Sequence, residues 1–317
     1  MSADRKPILG YFGKWGDGMV GALQAIAPDE RFIGCGTDGN PPADVDGADV
    51  LACLASDEEG LSRAMVPSVR WVHVLGAGVD GFPLHAVGDR IVTCSRGASA
   101  PAIAEFVLAV MLAFEKQLPN TWITEPPEHW NLAGLGAFRG KTVGIVGLGA
   151  IGTEVARRAL AFDTNVVALR RTDKPADIPA IEIVTSLPDL LGRSDHVVIA
   201  APATSATRHL FDAEAFAAMK PGAHLVNIAR GSLVDQDALI DALDHGNVAM
   251  ASLDVVDPEP LPAGHPLYRH PKVRLSPHVS WSSPDTMQRT FDLFADNLRR
   301  YRAGEPLQGV VDTSAGY

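Results

Sequence analysis

The segment Gly147-Leu148-Gly149-Ala150-Ile151-Gly152 constrains this chain more than any other. An apolar run, Thr142 to Val146, precedes it, and a helical stretch, Ile151 to Ala161, follows. A second apolar run, Asn165 to Leu169, ends about twenty residues further on. In this setting Gly147 permits a tight turn and Gly149 lets a pyrophosphate approach the backbone. Gly152 permits close packing of the helix, whose N-terminus, with Ala150 and Ile151, faces the phosphate charge. The runs Val197–Ala201, Leu225–Ile228, Met250–Leu253 and Val273–Leu275 continue the alternation. Strands alternating with helices predict a doubly wound, Rossmann-like parallel sheet.

A similar series occupies the first third. Pro7–Phe12, Val50–Leu54, Trp71–Leu75 and Ile91–Cys94 read as buried strands separated by helical segments, a second parallel α/β domain of flavodoxin-like kind. A chain of 317 residues, 46% hydrophobic, can fill two such cores. Pro101 to Phe114 is apolar almost all round and reads as a long buried helix. Leu118 to Arg139, with Pro119, Pro126, Pro127, Trp122 and Trp130, reads as an extended arm, and exposed apolar surface there suggests a homodimer. The final helix, Ser283 to Arg302, is expected to return to the first domain. The expected division is residues 1–98 with 283–317, and residues 99–282, with a cleft between them.

Several classes are disfavoured. The formal net charge is −11 with no basic stripe, which argues against nucleic acid. No apolar signal core follows Met1-Ser2-Ala3-Asp4-Arg5-Lys6, and the most apolar stretch carries Glu105, so neither leader nor membrane span is expected. Three cysteines without C-x-x-C spacing fit reduced thiols in the cytoplasm, and no metal cluster is expected.

The end of the second strand of the glycine unit is informative. NAD proteins usually carry an acidic residue there for the ribose hydroxyls. This chain has Arg170-Arg171-Thr172, two guanidinium groups and a hydroxyl suited to a 2′-phosphate. NADP(H) is therefore the expected cofactor, with NAD(H) the alternative. Ala201, Pro202, Thr207 and Ala229 are further candidate cofactor contacts. Three later segments hold separated polar groups: Asn227-Ile228-Ala229-Arg230-Gly231, Asp254-Val255-Val256-Asp257-Pro258-Glu259-Pro260 and Ser276-Pro277-His278-Val279-Ser280-Trp281. Hydride transfer to a keto acid needs a cation to hold the carboxylate and polarise the carbonyl, and a proton donor that titrates near neutrality. Arg230 suits the first task and His278 the second. Glu259 bonded to the imidazole would favour its charged form and fix its orientation.

With these segments in order, and with Gly76-Ala77-Gly78-Val79-Asp80 and Ala104-Glu105, the chain resembles the D-isomer-specific 2-hydroxyacid dehydrogenases over nearly its whole length. The resemblance implies a substrate domain made from both chain ends, a coenzyme domain inserted between them, and a homodimer. It implies that Arg230, Glu259 and His278 are catalytic. It further implies that backbone amides around Gly76, Ala77 and Gly78 bind the substrate carboxylate and that Asp254 bonds the nicotinamide carboxamide. Arg96 and Trp281 are candidate substrate contacts. The expected reaction is NADPH-dependent reduction of a small 2-keto acid, glyoxylate or hydroxypyruvate in type. A bulkier 2-keto acid, phosphite, or a non-enzymatic dinucleotide sensor are the alternatives.

Overall fold

In a computed structural model, residues 5–43, 45–54, 57–131, 134–172 and 175–316 are described. Part of the N-terminal hexapeptide and residues 132–133 of the expected arm thus lie outside the described residues. The chain divides into two compact units, residues 1–99 with 283–317 and residues 100–282.

In the first unit, β1 (Ile8–Tyr11), α1 (Gly16–Ile26), β2 (Phe32–Gly34), β3 (Val50–Cys53), α2 (Glu58–Ala64), β4 (Trp71–Val74) and β5 (Ile91–Cys94) form a five-stranded sheet in the order β2-β1-β3-β4-β5, every pair parallel. Strands β1, β3 and β4 are buried at every position. A parallel sheet covered on both faces requires such continuous apolar runs. Asp57 caps α2 by accepting from the Gly60 amide at 2.6 Å.

The second unit opens with α3 (Ala100–Glu115), which buries Ile103, Ala104, Val107, Leu108 and Met111. Then follow β6 (Thr142–Val146), α4 (Ala150–Leu160), β7 (Asn165–Leu169), β8 (Ile181–Val184), α5 (Leu187–Arg193), β9 (His196–Ile199), α6 (Ala213–Ala218), β10 (Ala223–Asn227), α7 (Gln236–His245), β11 (Val248–Leu253) and β12 (Val273–Leu275). The seven strands are parallel in the order β12-β11-β10-β9-β6-β7-β8. The order reverses between β6 and β9, and ligands of such sheets bind beyond the strand ends at that reversal. A buried polar chain ties α3 to the sheet. Glu115 Oε1 lies 3.0 Å from His196 Nε2, His196 Nδ1 lies 3.2 Å from His224 Nδ1, and His224 Nε2 lies 2.9 Å from Ser252 Oγ.

The last helix, α8 (Thr286–Ala303), belongs to the first unit. Its Phe291, Phe294 and Leu298 join Ile8, Val50 and Trp71 in one apolar cluster, and Phe294 stacks on Trp71 at 5.7 Å. Strands β2 and β8, which the sequence pattern did not mark, are the outermost strands at one edge of each sheet.

Candidate active site

At the reversal point the glycines are fixed by geometry. Gly147 has φ +103°, and a Cβ there would lie 2.6 Å from the carbonyl oxygen of Ala200 and from the amide of Ala201. A Cβ on Gly152 would lie 2.2 Å from the Gly147 carbonyl oxygen. Gly149 precedes α4 in extended conformation with no side-chain cap, and a Cβ on it would meet nothing within 4 Å. Backbone packed tightly behind an open, uncapped helix N-terminus fits a pyrophosphate. Arg170, at the end of β7, donates from Nε to Thr172 Oγ1 at 3.1 Å, and Arg171 and Thr172 are exposed. Ala201 lies against Gly147. Thr207 closes the adjacent turn, its hydroxyl donating to the Pro202 carbonyl and accepting from the Thr204 amide, both at 2.8 Å.

Beyond the ends of β10, β11 and β12 the structure brings Arg230, Asp254, Glu259 and His278 onto loops of one sheet. Asn227, fully buried, bends the first loop: its Oδ1 accepts from the Ala229 amide and its Nδ2 donates to the Arg230 carbonyl, each at 3.0 Å. The next residue packs backbone to backbone against the second loop, since a Cβ on Gly231 would lie 1.9 Å from the Val256 carbonyl carbon. Asp254 organises the third. Its carboxylate accepts from Ser276 Oγ at 2.5 Å and from the amides of Val279 at 3.0 Å and Ser280 at 2.8 Å. Burial pushes its pKa up, but these donors outweigh burial and hold it below the ordinary carboxyl range. The Asp254 carbonyl also accepts from the His278 amide at 2.9 Å. So held, His278 adopts φ +53°, a left-handed conformation unusual for a residue with a side chain.

The His278 ring then meets Glu259, Nδ1 to Oε2 at 2.8 Å, while Glu259 Oε1 accepts from the Val256 amide at 3.2 Å. Were Glu259 ionised it could only accept, and Nδ1 would then carry the proton in this pair; Nε2 lies outside the pair. Both side chains remain over a third exposed. Trp281 donates from Nε1 to the His278 carbonyl at 2.9 Å and is itself 44% exposed, which keeps an aromatic face beside the imidazole loop.

The remaining candidates sit on the first unit. Gly76, Ala77 and Gly78 follow β4, and Ala77 and Gly78 are exposed. The Gly76 carbonyl accepts from the Ser95 amide at 2.9 Å, and the Cys94 thiol contacts the Ala77 carbonyl at 3.6 Å. Burial pushes the Cys94 thiol up in pKa while Arg96, hydrogen-bonded beside it, pulls the other way. Gly76, Ala77 and Gly78 thus follow β4 and Arg96 follows its neighbour β5, beyond adjacent strand ends of the first sheet. Sequence reasoning gave no role to Asn227, Ser276 or Ser280, whose short polar side chains shape the loops that carry Arg230 and His278. Among the described residues no group of three metal-ligating side chains occurs, and no helix is long and apolar enough to cross a membrane.

A glycine turn at the reversal point of a doubly wound sheet, with Arg, Glu and His on loops at the same strand ends, defines a nicotinamide-dinucleotide-dependent oxidoreductase. Residues 108–280 match the family profile of the D-isomer specific 2-hydroxyacid dehydrogenase, NAD binding domain. The chain is 35% identical over 278 residues to the glyoxylate reductase of Thermofilum pendens, covering 83% of this chain and 81% of that protein. It is 36% identical over 273 residues to the D-3-phosphoglycerate dehydrogenase of Mycobacterium bovis, covering 84% of this chain but only 51% of that longer protein. A D-isomer specific 2-hydroxyacid dehydrogenase from Xanthobacter autotrophicus Py2, solved in complex with NADPH and MES, superposes with a TM-score of 0.87 at 30% identity over 98% of this chain and 99% of that one. The chain belongs to the D-isomer-specific 2-hydroxyacid dehydrogenase family.

Proposed function

We propose that the protein reduces a small 2-keto acid, glyoxylate or hydroxypyruvate in type, to the D-2-hydroxy acid with NADPH. The observation that supports this is the 2.8 Å pair between His278 Nδ1 and Glu259, which engages Nδ1 and leaves Nε2 as the nitrogen to which we assign the proton. The bound cofactor supplies a hydride to the keto carbon. Arg230 holds the substrate carboxylate and stabilises the charge that develops on the carbonyl oxygen; a guanidinium does not give up a proton in this range. His278 Nε2 gives the proton to that oxygen, and Glu259 keeps the ring oriented and compensates its charge. The amides of Ala77 and Gly78 are assigned to carboxylate binding, and Arg96 and Trp281 are the further residues assigned to substrate recognition. Asp254 is the residue assigned to the nicotinamide carboxamide, held in place by Ser276, Val279 and Ser280.

The similarity to a glyoxylate reductase supports the substrate class, and the NADPH complex of the Xanthobacter relative supports the cofactor. The preference for NADP over NAD rests on Arg170, Arg171 and Thr172 standing where an acidic residue would repel a 2′-phosphate. The experiment is a panel of glyoxylate, hydroxypyruvate, phenylpyruvate and, in the oxidising direction, phosphite, each followed at the nicotinamide absorbance with both cofactors. Turnover of glyoxylate or hydroxypyruvate with NADPH, at higher efficiency than with NADH, is expected; Arg170→Asp should erode that preference. Turnover only of phenylpyruvate or phosphite, or equal efficiency with NADH, contradicts the substrate or the cofactor assignment respectively.

The three buried cysteines suit the reducing environment of the cytoplasm. Trp122 at 71% and Trp130 at 76% exposure on the arm after α3 suit a two-fold dimer interface. Light scattering should report a dimer at micromolar concentration; a monomer contradicts this.

A further inference from the structure

We infer that Gln236 is a positioning residue for Glu259, and this rests on the catalytic reading above. Gln236 is the first residue of α7, and its side chain crosses to the loop after β11. There both polar atoms of its carboxamide engage one residue. Nε2 donates to the Asp257 carbonyl at 2.6 Å, and Oε1 accepts from the Asp257 amide at 3.2 Å. A two-point clasp on one residue's main chain fixes that residue's position and its direction, which a single bond cannot do.

The clasp lies where it matters. Asp257 stands between Val256, whose amide donates to Glu259 Oε1 at 3.2 Å, and Glu259 itself, whose Oε2 meets His278 Nδ1 at 2.8 Å. On its other side the same turn abuts Gly231, next to Arg230, with Val256 and Asp257 backbone atoms 1.9 to 2.4 Å from the position a Gly231 Cβ would occupy. Gln236 therefore holds the Val256–Glu259 turn against the Arg230 loop. Pro258 and Pro260 lack amide hydrogens, so within residues 256–260 only Val256, Asp257 and Glu259 have amides to donate, and the Asp257 amide is the one Gln236 takes. Only a side chain with a donor and an acceptor on one planar group completes the clasp. Glutamate in that place would set a carboxylate against the Asp257 carbonyl.

The test compares Gln236→Met, which keeps the length and removes both bonds, with Gln236→Glu, Glu259→Gln and the double variant Gln236→Met/Glu259→Gln. The readouts are kcat, KM for keto acid and NADPH, the pH profile of reduction, and the thermal midpoint. Gln236→Met is expected to lower kcat about tenfold with NADPH KM unchanged and to move the alkaline limb in the direction Glu259→Gln moves it; Gln236→Glu should be at least as low. In the double variant the loss should be no greater than in Glu259→Gln alone, because residues that act through one another are not additive. Wild-type kcat in Gln236→Met, or a loss that multiplies with that of Glu259→Gln, overturns the inference while leaving the catalytic reading intact. A Glu259→Gln variant with wild-type kcat and pH profile overturns the catalytic reading and the inference together.

Discussion

The two sheets share parallel topology but use glycine after a strand in different ways. In the second unit, Gly147 and Gly152 sit where a Cβ would lie 2.6 and 2.2 Å from backbone oxygen, and Gly147 also has φ +103°. Backbone cannot move aside as a flexible side chain can, so these positions demand glycine before any ligand binds. In the first unit, a Cβ on Gly76 would lie 3.3 Å from the Gly78 carbonyl oxygen, a contact relieved by a few tenths of an ångström. One glycine turn is a structural requirement of a strand, a helix and a neighbouring strand end meeting at a point. The other is a permissive turn beyond the end of β4, with Ala77 and Gly78 exposed. The histidines repeat the contrast. His73, buried in the first sheet, bonds hydroxyls only, with Nδ1 at 2.7 Å from Thr93 Oγ1 and Nε2 at 3.1 Å from Ser95 Oγ. His196 and His224, buried in the second, form a chain that ends on the carboxylate of Glu115.

The largest expected effect breaks the comparison at the glycines. Gly152→Ala should cost roughly 3 kcal/mol or more, since overpacking against backbone cannot relax, and should abolish NADPH binding. Gly76→Ala should cost under about 1 kcal/mol. Chemical denaturation of both variants checks this; equal costs would mean the two turns are equivalent. Next, Asp254→Ala should cost about 2–4 kcal/mol, because the Ser276 hydroxyl and the amides of Val279 and Ser280 lose their acceptor where Asp254 is 1% exposed. Its depressed pKa also means that its contribution to stability is present above the ordinary carboxyl range and is lost as pH falls through the lower folded value.

A smaller effect separates the histidines. Burial pushes His73 down to about 3, so the unfolded chain takes up a proton more readily than the folded one. Stability is therefore whole above about pH 6.5 and declines as pH falls toward the folded value, by about 2 kcal/mol at pH 5. His224, pushed well below its ordinary range by burial and by His196, acts in the same direction. Urea denaturation between pH 7 and 5 should show this decline, and His73→Asn should flatten part of it. An unchanged slope in His73→Asn would remove that histidine from the explanation.

The inner strands were legible because burial on both faces writes continuous apolar runs. The edge strands β2 and β8 were not. Phe32-Ile33-Gly34 is only three residues, and Ile181-Glu182-Ile183-Val184 turns Glu182 to solvent, so neither carries that signature. At the site, Arg230, Glu259 and His278 stood out because few residue types suit the chemistry proposed for them. The residues that hold them did not. Asn227, Ser276, Ser280 and Gln236 bond loop backbone or a buried carboxylate, and no spacing or periodicity announces which loop amide a side chain will meet. The left-handed His278 was equally hidden, because its conformation is imposed by Asp254 from a neighbouring strand end.

The most direct measurement is single-turnover reduction of glyoxylate or hydroxypyruvate by wild type and His278→Ala, with NADPH binding measured separately by fluorescence. His278→Ala should bind NADPH as wild type does and lose roughly 10²–10⁴-fold in the rate of the chemical step. Near-normal turnover in His278→Ala with NADPH bound would contradict the assignment of the proton to His278.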